Sequence, residues 1–128
     1  GADAILLIAK ILTRKQIEGL YQYANELNLD VLIEIESIHE ISKIKNIKNS
    51  LIGINNRNLK NFTTSLNVTK NLLIDRPKDC LIVSESGIRS PDDVLNLKNL
   101  GVNGLLVGEQ LLKAVDPGKE LKFLLSKL

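Results

Sequence analysis

The chain has 128 residues, of which 44% are hydrophobic and 25% are charged, so it fits one globular domain and is too apolar for a disordered chain. Seventeen basic and fifteen acidic residues leave a net charge of +2, which lacks the basic excess of a nucleic-acid-binding domain. No apolar run approaches the roughly 20 residues of a membrane span, and the single cysteine, Cys80, excludes an internal disulfide and suits the reducing cytoplasm.

Five short apolar segments recur along the chain and are predicted to be β-strands. They are rich in Leu, Ile and Val with little polar alternation, which is typical of strands in a parallel sheet that is covered on both faces. The predicted strands are Ala4–Ala9, Val31–Ile35, Leu51–Ile54, Leu81–Val83 and Leu105–Val107.

Amphipathic stretches between these segments are predicted to be helices. Two helix starts have the spacing of a capping box, and two others place a capping side chain directly before a proline. These starts are Thr13 with Gln16, Ser37 with Glu40, Ser90 with Pro91, and Asp116 with Pro117. The stretch from Leu66 to Ile74 gives the weakest helical pattern. Strict alternation of strand and helix implies parallel crossovers, and therefore either a doubly wound sheet or a barrel of about five βα units.

Polar residues recur where the predicted strands end. They are Lys10, Glu34 with Glu36, Asn55 to Arg57, Ser84 to Ser86, and Gly108 with Glu109. Barrel enzymes place their chemistry at this end of the strands, because the βα loops gather there around the axis. Packing alone explains this recurrence poorly, since buried charge is costly unless it is paired or used.

Glu34 is set in an otherwise apolar strand, Leu32–Ile35. Two interpretations remain open from the residues alone. A buried glutamate often pairs with a lysine or arginine for stability; alternatively, apolar surroundings raise its pKa enough for proton transfer near neutrality.

Two predicted strand-to-helix turns contain glycine next to small or polar residues. Ser84 to Ile88 form one turn, and Leu106 to Glu109 form the other. Small residues let backbone N–H groups approach a phosphate, which phosphate-binding barrels hold with the loops after strands seven and eight. A tight turn with no ligand is the alternative for each glycine. If these are strands seven and eight, the chain carries strands four to eight and strands one to three are absent.

Metal and nucleotide sites receive little support from the sequence. His39 lies near a helix start, is predicted to be a surface residue, and has no second histidine or nearby cysteine to bind a metal with. Neither a G-x-G-x-x-G motif nor a P-loop is present.

Taken in order, five segments resemble indole-3-glycerol phosphate synthase over essentially the whole chain. They are Gly1 to Ile8, Leu32 to Ile35, Ile52 to Leu59, Ser84 to Ile88, and Leu106 to Glu109. The Gly-Ile-Asn-Asn-Arg-Asn-Leu run that begins at Gly53 is the most specific of them. The resemblance implies an α/β fold, a partial (βα)8 TIM barrel of the ribulose-phosphate-binding type, with residues 1–128 as the C-terminal part of a single domain.

The resemblance also implies a function, which is a carboxy-lyase step of tryptophan biosynthesis. The family closes the pyrrole ring of 1-(2-carboxyphenylamino)-1-deoxyribulose 5-phosphate and needs no cofactor and no metal. By resemblance, Glu34 is a proton-transfer residue and Asn55 hydrogen-bonds the substrate's hydroxyl region. The residues expected to bind the substrate and its phosphate are Leu6, Arg57, Glu85, Ser86, Gly87, Gly108 and Glu109. The expected partner is a phosphorylated small molecule, with no nucleic acid and no membrane.

Two catalytic groups of the family fall outside this chain. Its strand-one glutamate and its strand-three lysine, the principal general acid, would lie upstream of Gly1, and the sequence contains no methionine. We therefore expect that the natural chain begins upstream and that the 128 residues alone are inactive. Two other possibilities stay open. One is a different phosphate-binding barrel, such as a phosphoribosylanthranilate isomerase; the other is a half-barrel that associates with itself through its open strand edges.

Overall fold

Five parallel strands form one sheet in which each strand pairs with the next strand along the chain. The strands are β1 (Ala4–Ile8), β2 (Asp30–Ile35), β3 (Leu51–Asn55), β4 (Leu81–Glu85) and β5 (Gly104–Leu106). The computed structural model describes residues 1–48 and 50–128. All five predicted strands are confirmed, and their observed ends differ from the predicted ones by two residues at most.

Helices follow the strands as the capping signals predict. They are α1 (Arg14–Glu26), α2 (Ile38–Ile44), α3 (Asn67–Leu72), α4 (Pro91–Asn99), α5 (Glu109–Lys113) and α6 (Pro117–Leu124), with a 3₁₀ turn at Leu73–Asp75. Thr13 caps α1 with Gln16, and Ser90 caps α4 with Asp93. The strand-to-helix turn predicted at Leu106 to Glu109 leads into α5, which has only five residues and is too short to show a helical period of its own. None of the described helices is long and apolar enough to cross a membrane.

The two faces of the sheet differ in burial, most strongly at the edge strands β1 and β5. The helix-covered face consists of the strand residues that include Leu7, Ile33, Ile52 and Ile82, and each of these is at most 5% exposed. The open face consists of the alternate residues, which include Leu6, Leu32, Gly53, Val83 and Leu106. Leu6 is 49% exposed and Leu106 48% exposed. The expectation of cover on both faces is therefore wrong for this chain, because its own helices all pack on one face.

Candidate active site at the carboxyl ends of the strands

The strand register brings the polar strand ends together at one edge of the sheet. Asn55 at the end of β3 lies beside Glu85 at the end of β4, and Glu85 lies beside Leu106 of β5. Glu34, one residue before the end of β2, lies beside Gly53. Because the period of a strand is two, Glu34, Asn55 and Glu85 all project from the open face.

A tight turn follows β4 and is built from left-handed backbone. Ser86 has φ 66° and Gly87 has φ 78°, a region that residues other than glycine rarely occupy. A Cβ atom on Gly87 would lie 3.2 Å from the Cβ atom of Thr64, so the glycine is also required for close packing. Such turns point successive backbone N–H groups toward one place, which suits an anion.

Asn56 holds this turn in position from the end of β3. Its side chain is 1% exposed. The amide nitrogen donates to the hydroxyl of Ser84 at 2.9 Å, to the carbonyl of Glu85 at 3.0 Å and to the carbonyl of Ser86 at 3.1 Å. The amide oxygen accepts from the backbone N–H of Thr69 at 3.1 Å and from its hydroxyl at 2.9 Å. A buried amide whose two ends are both satisfied fixes its neighbours strongly.

A cavity of about 440 Å³ opens between this turn and the one after β5, and we call it the strand-end cavity. It is lined by Arg57, Ser86, Gly87, Ile88, Arg89, Leu106, Val107, Gly108, Glu109, Gln110 and Lys113. The structure therefore brings together five of the predicted binding residues, namely Arg57, Ser86, Gly87, Gly108 and Glu109. Three cations and one carboxylate give the lining a positive balance, which favours an anionic group.

The carboxylate of Glu109 binds two of the three cations that line this cavity. Its carboxylate pairs with Arg57 and, at 2.6 Å, with Lys113. Hydrogen bonds from Lys113 and Arg57, with their positive charges, lower the pKa of Glu109 to about 2. The carboxylate is therefore ionised throughout the physiological pH range, and an incoming phosphate must compete with it for both cations.

Glu85, one of the residues predicted to bind the substrate or its phosphate, does not line the strand-end cavity. Its side chain is 5% exposed and lies over Gly53 on the open face, outside the lining of the strand-end cavity. Burial raises the pKa of Glu85 to about 7, and the negative charge of Glu34 and a hydrogen bond with it add to the rise. A carboxyl group that titrates near neutrality beside a second carboxylate suits proton transfer better than phosphate binding.

Glu34 itself is half-buried and forms no ion pair with any described residue. This counts against the interpretation of Glu34 as one half of a structural salt bridge. Two cations of the same edge pair with other carboxylates: Lys10 with Glu36, and Arg57 with Glu109.

Asn55 and Leu6 complete the predicted site residues. Asn55 is 8% exposed, and its amide oxygen accepts from the backbone N–H of Arg57 at 2.9 Å. This bond engages the oxygen, so the amide nitrogen is the end that could donate to a ligand. Leu6 lies on the open face of the edge strand β1, where an apolar ligand surface could reach it.

Several functional candidates escape sequence reasoning. Arg89 and Lys113 line the cavity beside Arg57, but each follows its strand by several residues and has no signal of its own. The face on which Glu85 lies is predictable from the sequence. Side chains of a strand alternate with a period of two, so Leu81, Val83 and Glu85 of β4 share one face. His39 is exposed as predicted, and no three potential metal ligands cluster among residues 1–48 and 50–128.

Comparison with known proteins assigns a family. The family model described as indole-3-glycerol phosphate synthase matches residues 1–124. The protein of that name from Albidiferax ferrireducens is 48% identical over 121 residues, which are 94% of this chain and 46% of that protein. The one from Staphylococcus saprophyticus is 44% identical over 116 residues, which are 91% of this chain and 45% of that protein. The chain thus spans about half the length of the curated relatives that it matches.

A solved structure shares the fold. The crystal structure of 3-hexulose-6-phosphate synthase from Salmonella typhimurium aligns with a TM-score of 0.78 at 17% identity, and it covers 100% of this chain and 64% of that chain. At this identity the likeness concerns the fold alone. The five parallel βα units of this chain form part of a (βα)8 barrel.

Proposed function

We propose that this chain, which belongs to the indole-3-glycerol phosphate synthase family, carries half of an active site that closes the pyrrole ring of 1-(2-carboxyphenylamino)-1-deoxyribulose 5-phosphate. The reaction releases carbon dioxide and water and yields indole-3-glycerol phosphate. One observation carries the proposal: a cation-lined cavity and a pair of carboxylates lie at the same edge of one parallel sheet. In this proposal residues 1–128 are strands four to eight of a single barrel domain.

The strand-end cavity binds the substrate phosphate. Backbone N–H groups around Ser86, Gly87, Gly108 and Glu109 face the phosphate oxygens, and Arg57 supplies positive charge. Because the phosphate does not react, its binding energy serves to position the reacting carbon atoms over the open face. Phosphate binding in the cavity can position the reacting atoms only if the cavity adjoins the open face. Leu106 belongs to both surfaces.

The groups of the open face act on the reacting part of the substrate. Glu34 transfers protons, and the amide nitrogen of Asn55 donates to the hydroxyl region of the substrate. Leu6 provides apolar surface for the aromatic ring. We assign Glu85 to this group, because its side chain lies over Gly53, the residue beside Glu34.

The half-site is proposed to be inactive alone. By resemblance, the strand-one glutamate and the strand-three lysine that acts as general acid lie outside these residues. Loss of one general acid alone typically slows such a step by about 10²- to 10⁴-fold. The physiological partner is a phosphorylated small molecule, and we place the reaction in the cytoplasm, in keeping with the single reduced cysteine.

Complementation tests this proposal. The ring-closure substrate is added to the mass-verified chain, with and without a separately supplied segment that carries the missing strands, and the fluorescence of the product is followed. We expect turnover only in the mixture, and we expect Glu34→Gln in this chain to abolish it. Turnover by the chain alone would refute the half-site, and silence of a mixture in which both pieces fold and associate would refute the synthase assignment.

Exposure of the open face supports a second candidate, a self-associating half-barrel. Leu6 on β1 and Leu106 on β5 are each about half exposed, and both belong to edge strands of the sheet. Apolar edge strands recruit partners. A light-scattering mass of the chain alone separates the two candidates: a stable monomer would count against association.

A further inference from the structure

The strongest unexplained feature of the open face is a glycine in the middle of a strand. Gly53 lies at the centre of β3, between Glu34 of β2 and Val83 of β4. Its φ is not left-handed, and no turn requires it. Glycine in a strand interior is less stable than alanine, so a glycine at this position needs a compensating reason.

The space above Gly53 is filled by the side chain of Glu85. A Cβ atom on residue 53 would overlap Oε1 of Glu85 and lie 2.9 Å from its Cδ and 3.3 Å from Cδ1 of Leu32. The atoms in the way belong mainly to the end of a flexible side chain. A methyl group at this position would therefore displace the Glu85 carboxylate and leave the backbone in place.

With glycine at position 53, the Glu85 carboxylate lies inward over β3. Oε1 of Glu85 is buried and has no hydrogen-bond partner among the described residues. A buried carboxylate oxygen without a hydrogen-bond partner costs free energy. The side chain nevertheless points inward, although the open face of the sheet gives access to solvent. The missing side chain of residue 53 is what makes the inward position sterically accessible.

We propose that Gly53 is a positioning residue that lets the Glu85 carboxylate lie across β3 beside the carboxylate of Glu34. Burial and the negative charge of Glu34 both disfavour the charged form of Glu85. Gly53 and Asn55 of β3 and Leu106 of β5 contribute no charge beside them. Among the described cations of this edge, Lys10 pairs with Glu36, and Arg57 and Lys113 pair with Glu109. Arg89 donates to the hydroxyl of Thr64. A catalytic role for this arrangement rests on the proposed function. The position of the Glu85 carboxylate can be tested by titration and unfolding, without any assay of activity.

The first test follows the titration of Glu85 by ¹³C NMR of its carboxyl carbon in the 128-residue chain. We expect a midpoint near neutrality in the parent, and a midpoint at least one pH unit lower in Gly53→Ala, because the displaced carboxylate reaches water. Gly104→Ala is the matched control: this glycine lies on the same face, and its Cβ would meet only Cγ2 of Val83 at an ordinary 3.5 Å. An unchanged Glu85 midpoint in Gly53→Ala would overturn the proposal.

A second measurement covers the case in which Gly53→Ala unfolds. The urea midpoint is compared for Gly53→Ala in the parent and in Glu85→Ala. If Gly53 makes room for Glu85, the alanine lowers the midpoint in the parent and leaves it unchanged or raises it in Glu85→Ala, since alanine otherwise suits a strand better than glycine. The same loss in both backgrounds would overturn the proposal. Neither measurement depends on activity, so failure of the proposed function would not be mistaken for failure of this one.

Discussion

The side-chain amide of Asn56 donates to the main-chain carbonyl of Ser86 at 3.1 Å, across the boundary between β3 and the turn after β4. This bond joins a residue at the end of one strand to the loop that forms the floor of the strand-end cavity. Since Ser86 holds a left-handed backbone, which costs energy in any residue other than glycine, Asn56 is the group that stabilises the shape of the turn.

Replacement of Asn56 by alanine is therefore expected to weaken both the fold and the cavity. Five hydrogen bonds of its side chain disappear, and several buried partners stay unsatisfied, so we expect a loss of about 3 kcal/mol in the free energy of unfolding. Urea denaturation measures it. Asn96→Ala, on an exposed position of α4, is the control and should be neutral. A loss below about 1 kcal/mol in Asn56→Ala would show that the network is replaced by water.

Glu109→Gln is expected to strengthen the binding of inorganic phosphate to the chain. The wild-type carboxylate, with its pKa lowered to about 2, competes for Arg57 and Lys113 at every physiological pH. Removal of one exposed competitor should improve the dissociation constant by roughly two- to fivefold at low ionic strength. Calorimetry or a ³¹P titration gives the value. Glu18→Gln removes an exposed ion pair on α1 and serves as the control; weaker binding by Glu109→Gln would mean that Glu109 orients the cations for phosphate.

The pKa of Glu85 predicts the direction in which pH changes stability. Its folded value of about 7 lies above the ordinary 4.5, so the folded state holds the proton more tightly than the unfolded state. The resulting stabilisation is fully present below about pH 4.5 and is lost as the pH rises through about 7. Unfolding by urea at a series of pH values should show this fall, and Glu85→Gln should flatten it. An equal slope in the variant would assign the dependence to another group.

Lys43 is expected to stabilise the chain through main-chain carbonyls, although it looks like an ordinary surface lysine in the sequence. Its ammonium group donates to the carbonyls of Ala9 at 2.7 Å and Leu12 at 2.9 Å, just after β1. Lys43→Met leaves both carbonyls without this donor and should cost about 1–3 kcal/mol in unfolding free energy. Lys45→Met, in an exposed position close by, should change little. Equal effects of the two would show that charge, and not these bonds, matters.

The sequence predicts the architecture well because its signals are local. Apolar runs mark each strand, and the pairs Thr13 with Gln16 and Ser37 with Glu40 mark helix starts that the structure confirms. The edge of the sheet that carries the polar groups follows from the strand direction alone. These inferences need only a few consecutive residues and the geometry of parallel sheets.

Contacts between distant segments explain what the sequence does not predict. Asn56 reaches Thr69 and Ser84, Gly53 makes room for Glu85, and Arg57 crosses to Glu109. Each of these residue types has several ordinary roles, and only the fold selects one. Glu85 is an example. Its neighbours in the chain suggest a phosphate site, whereas the fold places its side chain over Gly53 and beside Glu34.

The order of the strands has a kinetic consequence. Every strand pairs with its successor in the chain, so each pairing closes a loop that is only one helix long, and no contact in the sheet waits for the two chain termini to meet. The conformational entropy lost at each step is modest, because loop-closure cost grows with loop length. The sheet can therefore assemble by successive addition of strand–helix units.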